Sequence, residues 1–89
     1  MKIYLDPNIE GCTVWFDNGN IQSLYGYPID ICKRIKNFAI DIKYDSKSKP
    51  IERQVVKVYL DARGIGITYA SLLREMGIFF EKCTHKQII

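Results

Sequence analysis

Two aspartates in this chain end the same short phrase. Lys2-Ile-Tyr-Leu-Asp6 and Lys57-Val-Tyr-Leu-Asp61 both read lysine, β-branched residue, tyrosine, leucine, aspartate, and a glycine follows each five residues on, Gly11 and Gly66. A strand-forming run that stops at a carboxylate delivers that carboxylate to the strand's end. Two carboxylates at one sheet edge repel, which raises the pKa of one unless a cation lies between them. A hard divalent ion, Mg²⁺ or Mn²⁺, is the natural partner for oxygen ligands. Two such ions about 3.5–4 Å apart activate a water and stabilise the leaving oxygen of a phosphodiester. Asp6 and Asp61 are therefore candidate metal ligands and catalytic carboxylates. Glu10, in the loop after the first run, is a third oxygen donor able to swing toward them. The plainer alternative is that each Asp caps its own turn, as Asp before Pro-Asn or before a Gly-rich stretch commonly does.

The residues after Asp61 extend the same chemistry. Gly64 and Gly66 let the backbone come close to a ligand at the mouth of a helix, and helix N-termini favour anions. A phosphate could rest there, or the glycines serve only a tight strand-to-helix turn. Arg63 either contacts a phosphate or neutralises its neighbour Asp61.

Positioning these groups calls for one domain, residues 1–89, since a chain of 89 residues has no room for a second core. Thirteen Lys and Arg against ten Asp and Glu give +3, compatible with a nucleic-acid partner without demanding one. No apolar run approaches the ~20 residues that cross a bilayer, and the acid at position six interrupts any signal-peptide core, so no membrane association and a cytoplasmic location are expected. Cys12, Cys32 and Cys83 are an odd number with no C-x-x-C pair, which reads as reduced thiols. Together with His85 they offer four zinc-type donors at spacings that match no structural zinc motif.

Residues 2–6 and 12–17 read as strands joined after Pro7-Asn8, and Asn18-Gly19 marks a hairpin leading into a third strand over 21–27. These make an antiparallel meander. Pro28 opens a helix whose apolar stripe is Ile31, Ile35, Phe38 and Ile42, with Cys32 and Ala39 beside it. Residues 44–54 are polar, contain Pro50, and read as a solvated surface loop carrying Lys47, Lys49 and Arg53, with Lys43 just before it; a binding patch is the alternative for these four cations. A fourth strand follows over 55–61. A second helix starts near Thr68 as its N-cap and ends at Gly77, with Tyr69, Leu72, Leu73 and Met76 inward. The fifth strand lies in residues 78–83. Right-handed β-α-β crossovers then give an α/β fold, β-β-β-α-β-α-β, with a five-stranded mixed sheet in the order 3-2-1-4-5. In that order the strands of Asp6 and Asp61 are parallel neighbours, about 4.8 Å apart, and both carboxylates sit at the carboxyl-terminal edge where open α/β sheets bind ligands.

The stretch Ile3-Tyr-Leu-Asp-Pro-Asn through Asn18-Gly-Asn-Ile21 resembles the opening of ribonuclease-H-like nucleases of the Holliday-junction resolvase type. Val56 to Ile78, a strand ending in Asp with Gly64-Ile-Gly66 and a helix after it, is similar to the second acidic motif of phage terminase large-subunit nucleases. The resemblance covers residues 2 to about 82 and implies a ribonuclease-H-like sheet, with Asp6 and Asp61 holding Mg²⁺ or Mn²⁺ for cleavage of nucleic acid. It also departs from the pattern. Asn8 stands where the resolvases carry Gly, and the third acid of such nucleases, usually on a helix after the fifth strand, has no counterpart. Asp30 and Asp41 fall on the first helix, where ribonucleases H place an acid. A sugar-kinase or actin-type ATPase shares the sheet but needs two such domains.

Two functions follow. One is a metal-dependent nuclease domain. The other is a catalytically inactive, phage-type accessory or inhibitor protein that binds a nucleic-acid or protein partner, which the absent third acid favours. The third and fifth strands are both sheet edges, and Ile78-Phe-Phe-Glu-Lys-Cys83 of the fifth is apolar enough to be a liability if left bare, so self-pairing into a homodimer is expected. Tyr4, Trp15, Tyr25, Tyr27 and Tyr59 read as core or strand-face residues, with base stacking the alternative.

Overall fold

The computed structural model describes residues 1–84. The elements run β1 (Lys2–Asn8), β2 (Gly11–Phe16), β3 (Ile21–Tyr25), α1 (Pro28–Ala39), β4 (Ile40–Tyr44), β5 (Pro50–Gln54), β6 (Lys57–Leu60), α2 (Gly66–Glu75) and β7 (Phe80–Lys82). The fold is α/β. One mixed sheet has the order β3-β2-β1-β6-β7, and β4 and β5 form a second, two-stranded sheet. β1 is antiparallel to β2 and parallel to β6, and β6 is parallel to β7.

Alternation along the strands sorts side chains between the two sheet faces. Ile3 and Leu5 of β1, Cys12 and Val14 of β2, and Val58 and Leu60 of β6 join one apolar cluster with Ile31, Cys32 and Ile35 of α1 and Tyr69, Ala70 and Leu73 of α2. Both helices therefore cover the same face. Each fully buried aliphatic side chain here contributes roughly 1.5–3 kcal/mol. Tyr4 and Tyr59 are buried too but stand outside that cluster, on the opposite face. The Tyr69 hydroxyl donates to the Gly11 carbonyl at 3.1 Å and ties α2 to the start of β2.

Several boundaries differ from the sequence expectation. β1 runs through Pro7 to Asn8 instead of stopping at Asp6. Asp17 N–H donates to the Lys2 carbonyl and Asp61 N–H to the Leu5 carbonyl, so even-numbered residues of β1 bond to β2 and odd-numbered ones to β6. The N–H that Pro7 lacks would point toward β6 beyond its last residue, Leu60, so Pro7 sits where that pairing ends and interrupts none of the earlier bonds. The hairpin at Asn18-Gly19 uses a three-residue loop. Gly19 alone takes a positive φ, +90°, with its N–H on the Phe16 carbonyl, the turn-plus-bulge form.

The largest difference lies between the helices. α1 ends at Ala39, and Ile42, expected on its stripe, sits in β4 opposite Glu52. Residues 44–54, expected as a loop, supply most of a β-hairpin. Ile40-Asp-Ile-Lys-Tyr44 satisfies a strand's period of two as well as a helix's 3.6, and Asp45 settles the choice by building a turn. Its Oδ1 accepts the N–H groups of both Lys47 and Lys49 at 2.8 Å. The element order is accordingly β-β-β-α-β-β-β-α-β. The fourth strand of the expectation begins at Lys57, not residue 55. α2 begins at Gly66 with Ile65 at its N-cap, so Thr68 lies inside the first turn. Its last turn closes as expected at Gly77, whose N–H meets the Arg74 carbonyl while Ile78 N–H meets that of Leu73.

Candidate functional site

The register of β1 on β6 pairs Lys2 with Lys57, Ile3 with Val58, Tyr4 with Tyr59 and Leu5 with Leu60. The next positions in that register are Asp6 and Asp61, and the Asp61 N–H reaches the Leu5 carbonyl at 3.0 Å. The two aspartates are thus neighbours at the carboxyl-terminal edge, on the face that carries Tyr4 and Tyr59. The Tyr4 hydroxyl donates to the Cys83 carbonyl at 3.3 Å. Its pKa is raised, first by burial and then by the negative fields of Asp61 and Asp6, so both carboxylates act on one phenol.

The two acids have different surroundings. Asp6 is exposed, opposite Thr13 of β2, and its carboxylate makes no hydrogen bond or ion pair among the described residues. Asp61 is largely enclosed, its side chain 14% exposed, and is gripped at both oxygens by Arg63. Arg63 Nε donates to Oδ1 and Nη2 to Oδ2, each at 2.9 Å, and the Arg63 backbone N–H adds a contact to Oδ1 at 3.2 Å. This two-pronged pairing is the strong geometry for a guanidinium on a carboxylate. It holds Asp61 below the ordinary carboxylate pKa, the Arg63 hydrogen bonds outweighing the opposing effect of burial. Of the two roles open to Arg63 in the sequence, neutralising the acid is the one its side chain occupies.

Glu10 is not part of this group. It lies in the two-residue turn between Asn8 and Gly11, two rungs past Asp6, on the order of 7 Å along the strand. Its N–H donates to Asn8 Oδ1 at 2.9 Å, and its carbonyl accepts from Gly26. Gly64 turns the chain with φ +55°, and a Cβ at Gly66 would stand 2.0 Å from the Asp61 carbonyl oxygen. Both glycines are thus required by the strand-to-helix turn itself. The N–H groups of Gly66, Ile67 and Thr68 bond back to the carbonyls of Arg63, Gly64 and Ile65. Asp30 is in the first turn of α1 and Asp41 in β4.

Among the described residues no group of three or more His, Cys, Asp or Glu side chains is placed to hold a metal ion. Mg²⁺ or Mn²⁺ can be held by one or two carboxylates with water completing the shell, a number that Asp6 and Asp61 supply, but both oxygens of Asp61 are hydrogen-bonded to Arg63. Cys12 and Cys32 are buried, their thiol pKa values pushed up to about 12, chiefly by that burial, and His85 lies outside the described residues.

The basic stretch read from the sequence as a solvated loop, with a binding patch as its alternative, is a second candidate. Among the described residues β4 and β5 pair only with each other, and they are exposed over most of their length. Residues 28–54, from the start of α1 to the end of this arm, hold seven Lys and Arg against four Asp and Glu, a net +3 in a chain of +3 overall. The remainder of the molecule is therefore neutral. Gln54 roots the arm in the body. Its Nε2 donates to the Phe79 carbonyl at 2.7 Å and the Val56 carbonyl at 3.0 Å, and its Oε1 accepts the Phe79 N–H at 2.8 Å. Val55 N–H bonds the Ala39 carbonyl at 2.8 Å. The turn-forming Asp45 followed by alternating Lys47 and Lys49 was the available signal.

Comparison with protein-family models, with curated proteins and with solved structures finds no match to this chain.

Proposed function

We propose that the chain is a nucleic-acid-binding module of ribonuclease-H-like architecture that carries out no nuclease chemistry of its own. The supporting observation is the segregation of charge. All of the excess positive charge falls on α1 and the β4–β5 arm, including Lys33, Arg34, Lys36, Lys43, Lys47, Lys49 and Arg53. A basic, exposed element on an otherwise neutral body is the electrostatic footprint of phosphate-backbone recognition. The aspartate edge favours the same conclusion from the other side. Asp6, Asp61 and Arg63 together carry one net negative charge, which repels a phosphodiester, and Arg63 hydrogen-bonds both Asp61 oxygens that a metal ion would use. This is the role of an accessory protein rather than of an enzyme.

A metal-dependent nuclease is the second reading, favoured by the adjacency of Asp6 and Asp61 in the β1–β6 register. It requires Arg63 to release Asp61 when Mg²⁺ or Mn²⁺ arrives. One assay separates the two. Labelled duplex and single-stranded oligonucleotides are titrated at low salt with Mg²⁺ or Mn²⁺ present, binding is followed by fluorescence anisotropy, and the strands are then run on a denaturing gel. Salt-sensitive binding with intact strands is the expected result. Cleavage lost in Asp6→Asn would establish the nuclease, and no binding at low salt would refute the module.

A further inference from the structure

β3 closes one side of the five-stranded sheet, with no strand beyond it among the described residues. Natural edge strands are usually guarded by charge, proline or brevity. β7 at the opposite edge is guarded, being three residues long with exposed Glu81 and Lys82. β3 is not. Ile21-Gln-Ser-Leu-Tyr25 carries neither charge nor proline, and four of its five residues are exposed.

The direction of its free backbone groups can be derived. At the two ends of the β2–β3 ladder, Phe16 N–H donates to the Asn20 carbonyl at 2.9 Å and Gly26 N–H to the Glu10 carbonyl at 3.1 Å. Bonded and non-bonded pairs alternate in an antiparallel ladder. Gln22 and Leu24 therefore bond inward to Val14 and Cys12, while Ile21, Ser23 and Tyr25 turn their N–H and C=O groups away from the sheet. Three outward residues spaced two apart, with Ser23 in the middle, form a self-complementary edge.

We propose that β3 is a homodimer interface, at which a second copy of this chain adds antiparallel about a two-fold axis through Ser23. Ile21 then lies opposite the partner's Tyr25, and Ser23 opposite the partner's Ser23, so the outward backbone groups pair and the two sheets become one continuous sheet. The Ile21 contact is an aliphatic–aromatic cross-strand pair, and an uncharged strand meets its copy without opposing like charges. Ile21 and Tyr25, on one face of the strand, are 56% and 68% exposed, so the cross-strand pair brings together apolar surface that each chain by itself leaves bare.

Sedimentation equilibrium without nucleic acid tests this independently of the proposed function. The wild type is expected to be a dimer. Ser23→Lys and Ser23→Asp each place like charges opposite one another at the axis, without removing a bond within the chain, and each alone is expected to be monomeric. An equimolar mixture of the two is expected to recover the dimer. A wild type that stays monomeric, a dimer indifferent to both substitutions, or a mixture that stays monomeric would each overturn the proposal. Amide exchange in the wild type gives a readout that needs no variant. Protection at Ile21, Ser23 and Tyr25 that rises with protein concentration supports the interface, and concentration-independent fast exchange refutes it.

Discussion

If the arm binds phosphate, its side chains can be discharged without disturbing its fold, because the tip is held by other groups. Asp45 Oδ1 takes the Lys47 and Lys49 N–H groups at 2.8 Å, and the Asp45 N–H and carbonyl meet Lys49 and Ser48 at 3.0 Å. The Lys47 and Lys49 ammonium groups play no part in that turn. Replacing both by Gln removes two of the seven cations of residues 28–54. Each phosphate neutralised on duplex DNA contributes roughly 0.9 to the slope of log K against log salt. Four phosphates neutralised by the arm and α1 would give a slope near −3.6, and two fewer in the double variant one near −1.8. Raising salt from about 50 to about 200 mM should then weaken the wild type on the order of 150-fold and the variant only about 12-fold. Fluorescence anisotropy with a labelled mixed-sequence duplex reads both slopes. Lys2→Gln with Lys82→Gln, two cations on the five-stranded body, serves as the control and should leave the slope near the wild-type value. An unchanged slope in the arm variant, or an equal fall in the control, would refute the assignment of binding to the arm.

Two further outcomes probe the body. Tyr69→Phe strips the donor from the Gly11 carbonyl inside the core, which should cost about 1 kcal/mol. For a domain of this size that lowers the thermal midpoint by roughly 4–8 °C, measurable by circular dichroism, whereas an unchanged midpoint would mean the bond contributes nothing. Cys12 and Cys32, buried and with thiol pKa values pushed up to about 12, should resist an aromatic disulfide reagent until the chain unfolds, while half-buried Cys83 reacts first. Rapid labelling of all three thiols in folded protein would contradict that burial.

The five segments that make the main sheet were legible because each combines β-forming residues with an alternation the sheet uses on two distinct faces. The meander was clear for the same reason, helped by Asn18-Gly19. What failed was the stretch from Ile40 to Gln54. Ile42 falls on the helical interval from Ile35 and Phe38 and also alternates with Ile40 and Tyr44, so local pattern alone could not choose. Its strand partner, Pro50–Gln54, is nearly all exposed, and an exposed ribbon buries too little to leave an apolar signature. At the candidate site, adjacency of Asp6 and Asp61 was readable from the echoed phrase. The grip of Arg63 on Asp61 was not, because a residue two positions away can turn toward its neighbour or toward a ligand, and only the geometry of the Gly64 turn decides.

The echo itself has a packing explanation. β1 and β6 are adjacent, parallel and in register, so Ile3 and Val58 meet the same helices, as do Leu5 and Leu60, and Tyr4 and Tyr59 share the other face. Identical neighbours select near-identical residues through the leucines, and beyond them the phrase sets two carboxylates side by side with a charge to settle. Arg63 settles it in the folded state, and this predicts a coupling. In the wild type Asp6→Asn should change stability little, because Asp61 is already neutralised. In Arg63→Gln the two carboxylates face each other unrelieved, and Asp6→Asn should raise the thermal midpoint, most clearly at low salt. The pH dependence follows with a definite sign. Asp61 has a folded pKa below its ordinary 3.8, so its pairing stabilises the fold above that value and is lost as pH falls through the folded pKa. The stability gap between wild type and Arg63→Gln should therefore be full near neutrality, narrow below about pH 4, and close in stronger acid. A gap that persists unchanged into acid, or an Asp6→Asn effect equal in both backgrounds, would show that Arg63 is not what reconciles the two aspartates.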